Sequence, residues 1–167
     1  MSTTVTTQIY NAPKVDTLTA PTQPVAAAVA ESAAVLVAPR AGIITAVTYS
    51  PIALITGVVT NNRTISLYNV TQTVTIASLT FAAGTNAAAG ADTPLTLSGT
   101  VANTQVNAGD VLSFVGTVAG TGLADPGGVL AVTLSGVDSH VANVPYFENP
   151  AVQPSGSDAL HLGVLST

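Results

Sequence analysis

Thr64-Ile65-Ser66-Leu67-Tyr68 places Ile65 and Leu67 on one side of an extended chain and Thr64, Ser66 and Tyr68 on the other. This period-two alternation marks a strand buried on a single face. Pro94-Leu95-Thr96-Leu97-Ser98 does the same with Leu95 and Leu97. In 111–118, Leu112, Phe114 and Val118 line one side, and in 129–135 Leu130, Val132 and Leu134 do so; these are the expected core residues. The segments are separated by Asn61-Asn62, Asn107-Ala108-Gly109-Asp110 and Asp125-Pro126-Gly127-Gly128, residues that tolerate tight or left-handed backbone. Short strands at close spacing between such turns predict an all-β chain: a single antiparallel β-sandwich, jelly-roll-like, with extended N- and C-terminal arms.

Working outward, the apolar parity of 73–81 changes from Val74 and Ile76 to Leu79 and Phe81, which predicts a bulge near Ala77-Ser78. The run 43–49 is apolar on both faces, as a central or covered strand would be, and 33–37 is a shorter strand candidate before it. The alanine-rich stretch after Pro24 is equally readable as a short helix over 25–31. Residues 82–93, rich in Ala, Gly, Thr and Asn, are expected to form the longest loop, mobile or in contact with a partner. The domain reading is therefore an arm over 1–31, a sandwich over 32–137 and an extended tail over 138–167. That tail carries Tyr, Phe, Leu and Val and needs a surface on which to bury them.

Composition narrows function. Only 7% of the 167 residues are charged while 47% are hydrophobic, and the net charge is −5. A typical soluble domain is about a quarter charged. With Lys14, Arg40 and Arg63 as its only bases, the chain has no electrostatic route to nucleic acid or to an anionic membrane surface. No apolar run approaches the ~20 residues of a spanning helix. The absence of cysteine removes disulfides and thiolate chemistry. The first residues lack a basic segment followed by an apolar one, so the expectation is synthesis in a cytosol without a secretory signal. In that setting the sequons Asn62-Arg63-Thr64 and Asn69-Val70-Thr71 read as chance products of a Thr/Asn-rich chain.

Candidates for chemistry are few. Asp138-Ser139-His140 contains the three residue types of a triad, but neighbours on an extended chain point to opposite sides, whereas catalytic geometry is assembled from distant positions. Two histidines without cysteine argue against a zinc or iron site, and Asp92, Asp110, Asp125 and Asp138 lie in or beside turns, where Asp caps local backbone. A calcium site at loop ends lacks any EF-hand-like spacing. No nucleophile elbow or phosphate-cradling loop is present. The chain is thus expected to be no enzyme and to hold no cofactor or metal. Arg40 and Arg63 open strands and read either as partners of nearby acids or as contacts to another subunit. Tyr10, Tyr146 and Phe147 in the arms are candidate anchors for a partner's pocket, or pack back on their own domain.

The core from Ala38-Pro39-Arg40-Ala41-Gly42-Ile43-Ile44-Thr45-Ala46-Val47, through Arg63-Thr64-Ile65-Ser66-Leu67-Tyr68-Asn69, to Val106-Asn107-Ala108-Gly109-Asp110-Val111-Leu112-Ser113-Phe114 resembles the small β-sandwich decoration (cement) proteins of tailed-bacteriophage heads. The resemblance covers about two-thirds of the chain and rests on strand and turn patterns. It implies a structural virion protein made in the host cytoplasm: a homotrimer or other small oligomer on the capsid surface, contacting the major capsid protein and tying capsomers together. Extended arms suit that role, because an arm can add a strand to a partner's sheet edge. The alternative expectation is a receptor- or glycan-binding module of a phage fibre or adhesin.

Overall fold

The computed structural model describes residues 4–146, with side chains described from 14 to 136. Ten strands follow one another: β1 Thr4–Thr22, β2 Glu31–Val37, β3 Gly42–Pro51, β4 Arg63–Asn69, β5 Val74–Thr80, β6 Thr93–Pro94, β7 Thr96–Leu97, β8 Gln105–Val106, β9 Val111–Val118 and β10 Gly128–Tyr146. The one helical element among the described residues is a 3-10 turn, Val101–Thr104, ahead of β8.

The pairing is nested. β1 lies beside β10, β2 beside β9, β3 beside β6 and β4 beside β5, so the chain pairs its first strand with its last and works inward. Successive nested pairs alternate between two sheets, β1-β10-β3-β6 and β2-β9-β4-β5-β7, with β8 also paired to β3. A long hairpin rolled over itself in this way is a jelly-roll sandwich. Clustering of contacts divides the chain into a body, residues 15–136, and a second unit, residues 1–14 with 137–167. The first half of β1 and the last half of β10 belong to that second unit.

The body's core follows the alternation. Ile65, Leu67, Leu95, Leu112, Phe114, Leu130, Val132 and Leu134 are buried, Leu97 packs against them, and Val118 is half-buried. Tyr49 and Phe114 meet with ring centroids 5.5 Å apart. β3 is central in its sheet, as its two apolar faces require, although Ile43 stays exposed. Opposite β4, the register of β5 shifts between Leu67 and Tyr68, leaving Ile76 as the extra residue. That bulge lets Ile76 and Ala77 both turn inward, one position before the place the parity change suggested.

Two readings are revised. Residues 26–30 form a turn and irregular backbone instead of a helix: Val25 is bridged to Asp125, and carbonyls that a helix would use internally are taken by a buried arginine described below. The sandwich begins at residue 15, earlier than expected, because 15–22 is a sheet strand and not a free arm. The 82–93 segment is the longest connection between strands of the body, as expected, and most of it is exposed; Ala87 anchors it, being fully buried and exchanging hydrogen bonds of 2.9 and 3.0 Å with Ile55. The turn is drawn in so tightly that a Cβ on Gly57 would overlap the carbonyl oxygens of Ala82 and Thr85. Gly57→Ala is therefore expected to cost about 1–3 kcal/mol, measured by urea unfolding, because the obstructing atoms are backbone and cannot swing aside.

Candidate functional site

Outward residues of the second sheet follow from its register. Thr117, Thr64 and Thr80 form one row across β9, β4 and β5; Val115, Ser66 and Ser78 form the next, extended by Ser32 of β2 and Thr96 of β7. A third row holds Ala34, Tyr68 and Thr75, with Ser113 buried between Ala34 and Tyr68. Thr64 and Thr80 join their hydroxyls at 2.8 Å. No acid or base stands in these rows. The face offers hydroxyl donors and acceptors on a β-branched, half-apolar floor, with Tyr68 as its single aromatic ring. Such a surface gives up little hydration of charge when covered, and its contacts are insensitive to salt.

The β3–β4 connection adds apolar points. Ile52, Leu54 and Val59 are 71%, 64% and 76% exposed, while Ile55 between them anchors the loop in the core. Sequence reasoning did not single these residues out. Their signal was an apolar run from Ile52 to Ile55, with Val58-Val59 after Gly57, that belongs to no alternating strand.

On the inner side lies a cluster of buried polar groups at one end of the body. Alternation along β4 puts Arg63 on the same inward face as Ile65 and Leu67, and it is fully buried. Its guanidinium donates from Nε to the Leu123 carbonyl (2.7 Å), from Nη2 to the carbonyls of Ala26 (3.2 Å) and Val29 (2.9 Å), and from Nη1 to Glu31 Oε1 (3.0 Å). Gly116 of β9, opposite Glu31, makes room for this pair: a Cβ there would lie 2.5 Å from Glu31 Oε1 and 2.7 Å from Arg63 Nη1. Asp125 Oδ1 accepts from the Tyr49 hydroxyl (2.5 Å) and the Gly127 amide (2.9 Å). Burial and then the bond to Asp125 push the Tyr49 hydroxyl above its ordinary pKa, so it is a permanent donor.

The residues singled out in the sequence are not brought together. Arg63 is consumed by these internal bonds and presents no surface to a partner, so its reading as a subunit contact gives way to the internal pairing that was its alternative. Arg40 is largely buried, paired with Asp16 of β1 at 2.9 Å and donating to the Leu134 carbonyl of β10 at 3.2 Å; it ties the β2–β3 turn to the first sheet. Tyr10 lies in β1 and Tyr146 ends β10, both in the second unit; Phe147 lies outside the described residues. Asp110 caps the Asn107 amide of its own turn, as expected of a turn aspartate, whereas Asp92 accepts from the Ser50 hydroxyl of β3. Among the described residues no group of three or more His, Cys, Asp or Glu is placed to hold a metal ion, and no helix is long and apolar enough to cross a membrane.

No family model, no curated protein and no solved structure matches this chain.

Proposed function

We propose that this chain is a structural virion protein that binds the outer surface of a bacteriophage capsid lattice, contacts the major capsid protein and bridges capsomers as a small oligomer. The observation that carries the reading is the uncharged hydroxyl face of the second sheet. A protein that seats on an assembled lattice gains affinity from many weak contacts repeated over the array, and an uncharged face keeps those contacts constant across ionic strengths. The exposed Ile52 and Leu54 supply apolar anchors of the kind that fill a partner's pocket. Paired terminal strands in a unit of their own suit contacts beyond the body.

The test is co-sedimentation of the purified full chain with capsid particles, with light scattering to count subunits. Stoichiometric saturation of particles is the expected result; no association with any expanded head overturns the reading. Ile52→Asp with Leu54→Asp is expected to weaken particle binding at least tenfold while changing folding stability by no more than about 0.5 kcal/mol, since both side chains are already in water.

A second reading, a glycan- or receptor-binding module of a fibre or adhesin, is favoured by Tyr68, a half-buried aromatic residue of this face that stands opposite the exposed Thr75. Such a module binds sugar through an aromatic platform with polar neighbours. A glycan array distinguishes the two, and Tyr68→Ala abolishes sugar binding in the second reading alone.

A further inference from the structure

The buried cluster contains one more acid than its single base can balance. Glu31, at the start of β2, is bonded to Arg63, whose Nε holds the Leu123 carbonyl two residues before Asp125, and Asp125 is bridged to Val25 of the crossover that leads into β2, so both acids belong to the cluster around the one guanidinium. Four of the guanidinium's N–H groups are engaged, one with Glu31 and three with backbone carbonyls, and none with Asp125. Asp125 Oδ1 is doubly satisfied by Tyr49 and Gly127, yet Oδ2 is buried with no hydrogen-bond partner among the described residues if both acids are ionised. A buried carboxylate oxygen without a donor is costly, and two adjacent carboxylates cost more. One proton on Glu31, donated to Asp125 Oδ2, removes both costs at once.

We propose that Glu31 donates a hydrogen bond to the partnerless Asp125 Oδ2 in the folded protein, and that this bond latches the 23–31 crossover and the edge strand β2 onto the body. The titratable and charged groups facing the pair are Arg63 from β4 and Tyr49 from β3; β9 contributes Gly116, which has none. The crossover depends on the pair because Arg63 also holds the Ala26 and Val29 carbonyls, and because Val25 and Asp125 are joined by two backbone bonds of 2.8 Å. β2 has a strand neighbour on one side only, so its start opens from β9 at less cost than a central strand would.

The direction of the pH effect follows. Burial first, and the Asp125 carboxylate second, push Glu31 up to about 7 against the pull of Arg63. A carboxyl raised on folding binds its proton more tightly in the native state. Its contribution is complete below the ordinary value of 4.5 and is lost as pH rises through 7. The latch is closed in mild acid and loosened in mild alkali.

The experiment is carbon-detected NMR titration of the side-chain carboxyls of the full chain, with hydrogen exchange of the 25–37 amides between pH 5 and 8, corrected for intrinsic rates. Glu31 is expected to titrate near neutrality. Protection of 25–37 is expected to fall at least tenfold relative to the interiors of β4 and β9. In Glu31→Gln the amide donates to Oδ2 at every pH while its oxygen still accepts from Arg63, so protection stays flat. Asp125→Asn provides a second arm should that variant not fold, and there the Glu31 titration drops towards the ordinary carboxyl range. A wild-type Glu31 that titrates near 4.5, or a Glu31→Gln protein that loses protection with pH as the wild type does, overturns the proposal.

Discussion

Arg63→Ala loses about 3–5 kcal/mol of folding stability, the cost of breaking a buried ion pair by removing one member. Total stabilities of ~5–15 kcal/mol leave a protein so altered near its unfolding threshold. The loss is large because the guanidinium is a hub as well as a charge. Without it, the carbonyls of Ala26, Val29 and Leu123 and the Glu31 carboxyl lose together a donor that is itself fully buried. Filling the space does not restore the donors, so Arg63→Met falls close to alanine. Arg63→Lys keeps the charge but cannot span the same fork of acceptors and recovers only part of the loss. Urea unfolding at pH 8 and pH 5 separates the two roles. The deficit is greater at pH 8, because without the pull of Arg63 the Glu31 carboxyl is pushed up further and must either ionise unpaired or keep a proton against the solution pH; at pH 5 it is the protonated latch, and what remains is the loss of the backbone bonds.

Arg63 also shows what was and was not legible in the sequence. The strand containing it was plain from Ile65 and Leu67, and the same alternation, carried back two residues, points Arg63 inward. Its rarity as a cation drew attention to the surface instead, where a lone arginine ordinarily belongs. What decided otherwise is non-local: Gly116 leaves room on β9, and a crossover supplies carbonyls and an acid. Neither is adjacent in sequence, so no local pattern announces the cluster. The helix option over 25–31 failed for the same reason. Alanine propensity is worth a few tenths of a kcal/mol per residue, and the tertiary bonds from Arg63 and Asp125 exceed it.

The sandwich was legible because alternation is a local consequence of one-sided burial, and the turn residues fell where the chain reverses. The order of strands was not legible, since nested pairing of β1 with β10 joins residues more than a hundred positions apart. The hydroxyl face sits between these cases. Each strand displayed its Thr and Ser on the polar side, but their alignment into uncharged rows depends on register, including the bulge at Ile76.

Asp110→Ala is expected to cost about 3 kcal/mol, because three donors to one buried carboxylate oxygen are left without an acceptor. Oδ2 of Asp110 accepts from the Asn107 amide (2.9 Å), Asn69 Nδ2 (2.8 Å) and Gln72 Nε2 (2.5 Å). Those donors lie in the turn before β9, at the end of β4 and in the β4–β5 hairpin, so one side chain fastens three pieces of chain at the same end of the sandwich. The Asp110 carbonyl adds a fourth, accepting from the Ala38 amide at 2.9 Å. Burial alone would raise this carboxyl, but the three N–H bonds outweigh it and hold the acid below its ordinary 3.8. Its stabilisation is complete above that value and disappears as pH falls through the lower folded pKa, the reverse of the Glu31 case. The wild type is therefore most stable in mild acid, where Asp110 is ionised and Glu31 still protonated. Denaturant titrations from pH 2.5 to 8 should show the acid-side fall vanish in Asp110→Ala while the fall towards pH 8 persists. Asp110→Asn keeps the shape but turns acceptor capacity into a donor facing donors, and should lie between wild type and alanine. An alanine variant with unchanged acid sensitivity would assign the acid transition to other carboxyls and reduce Asp110 to a turn former.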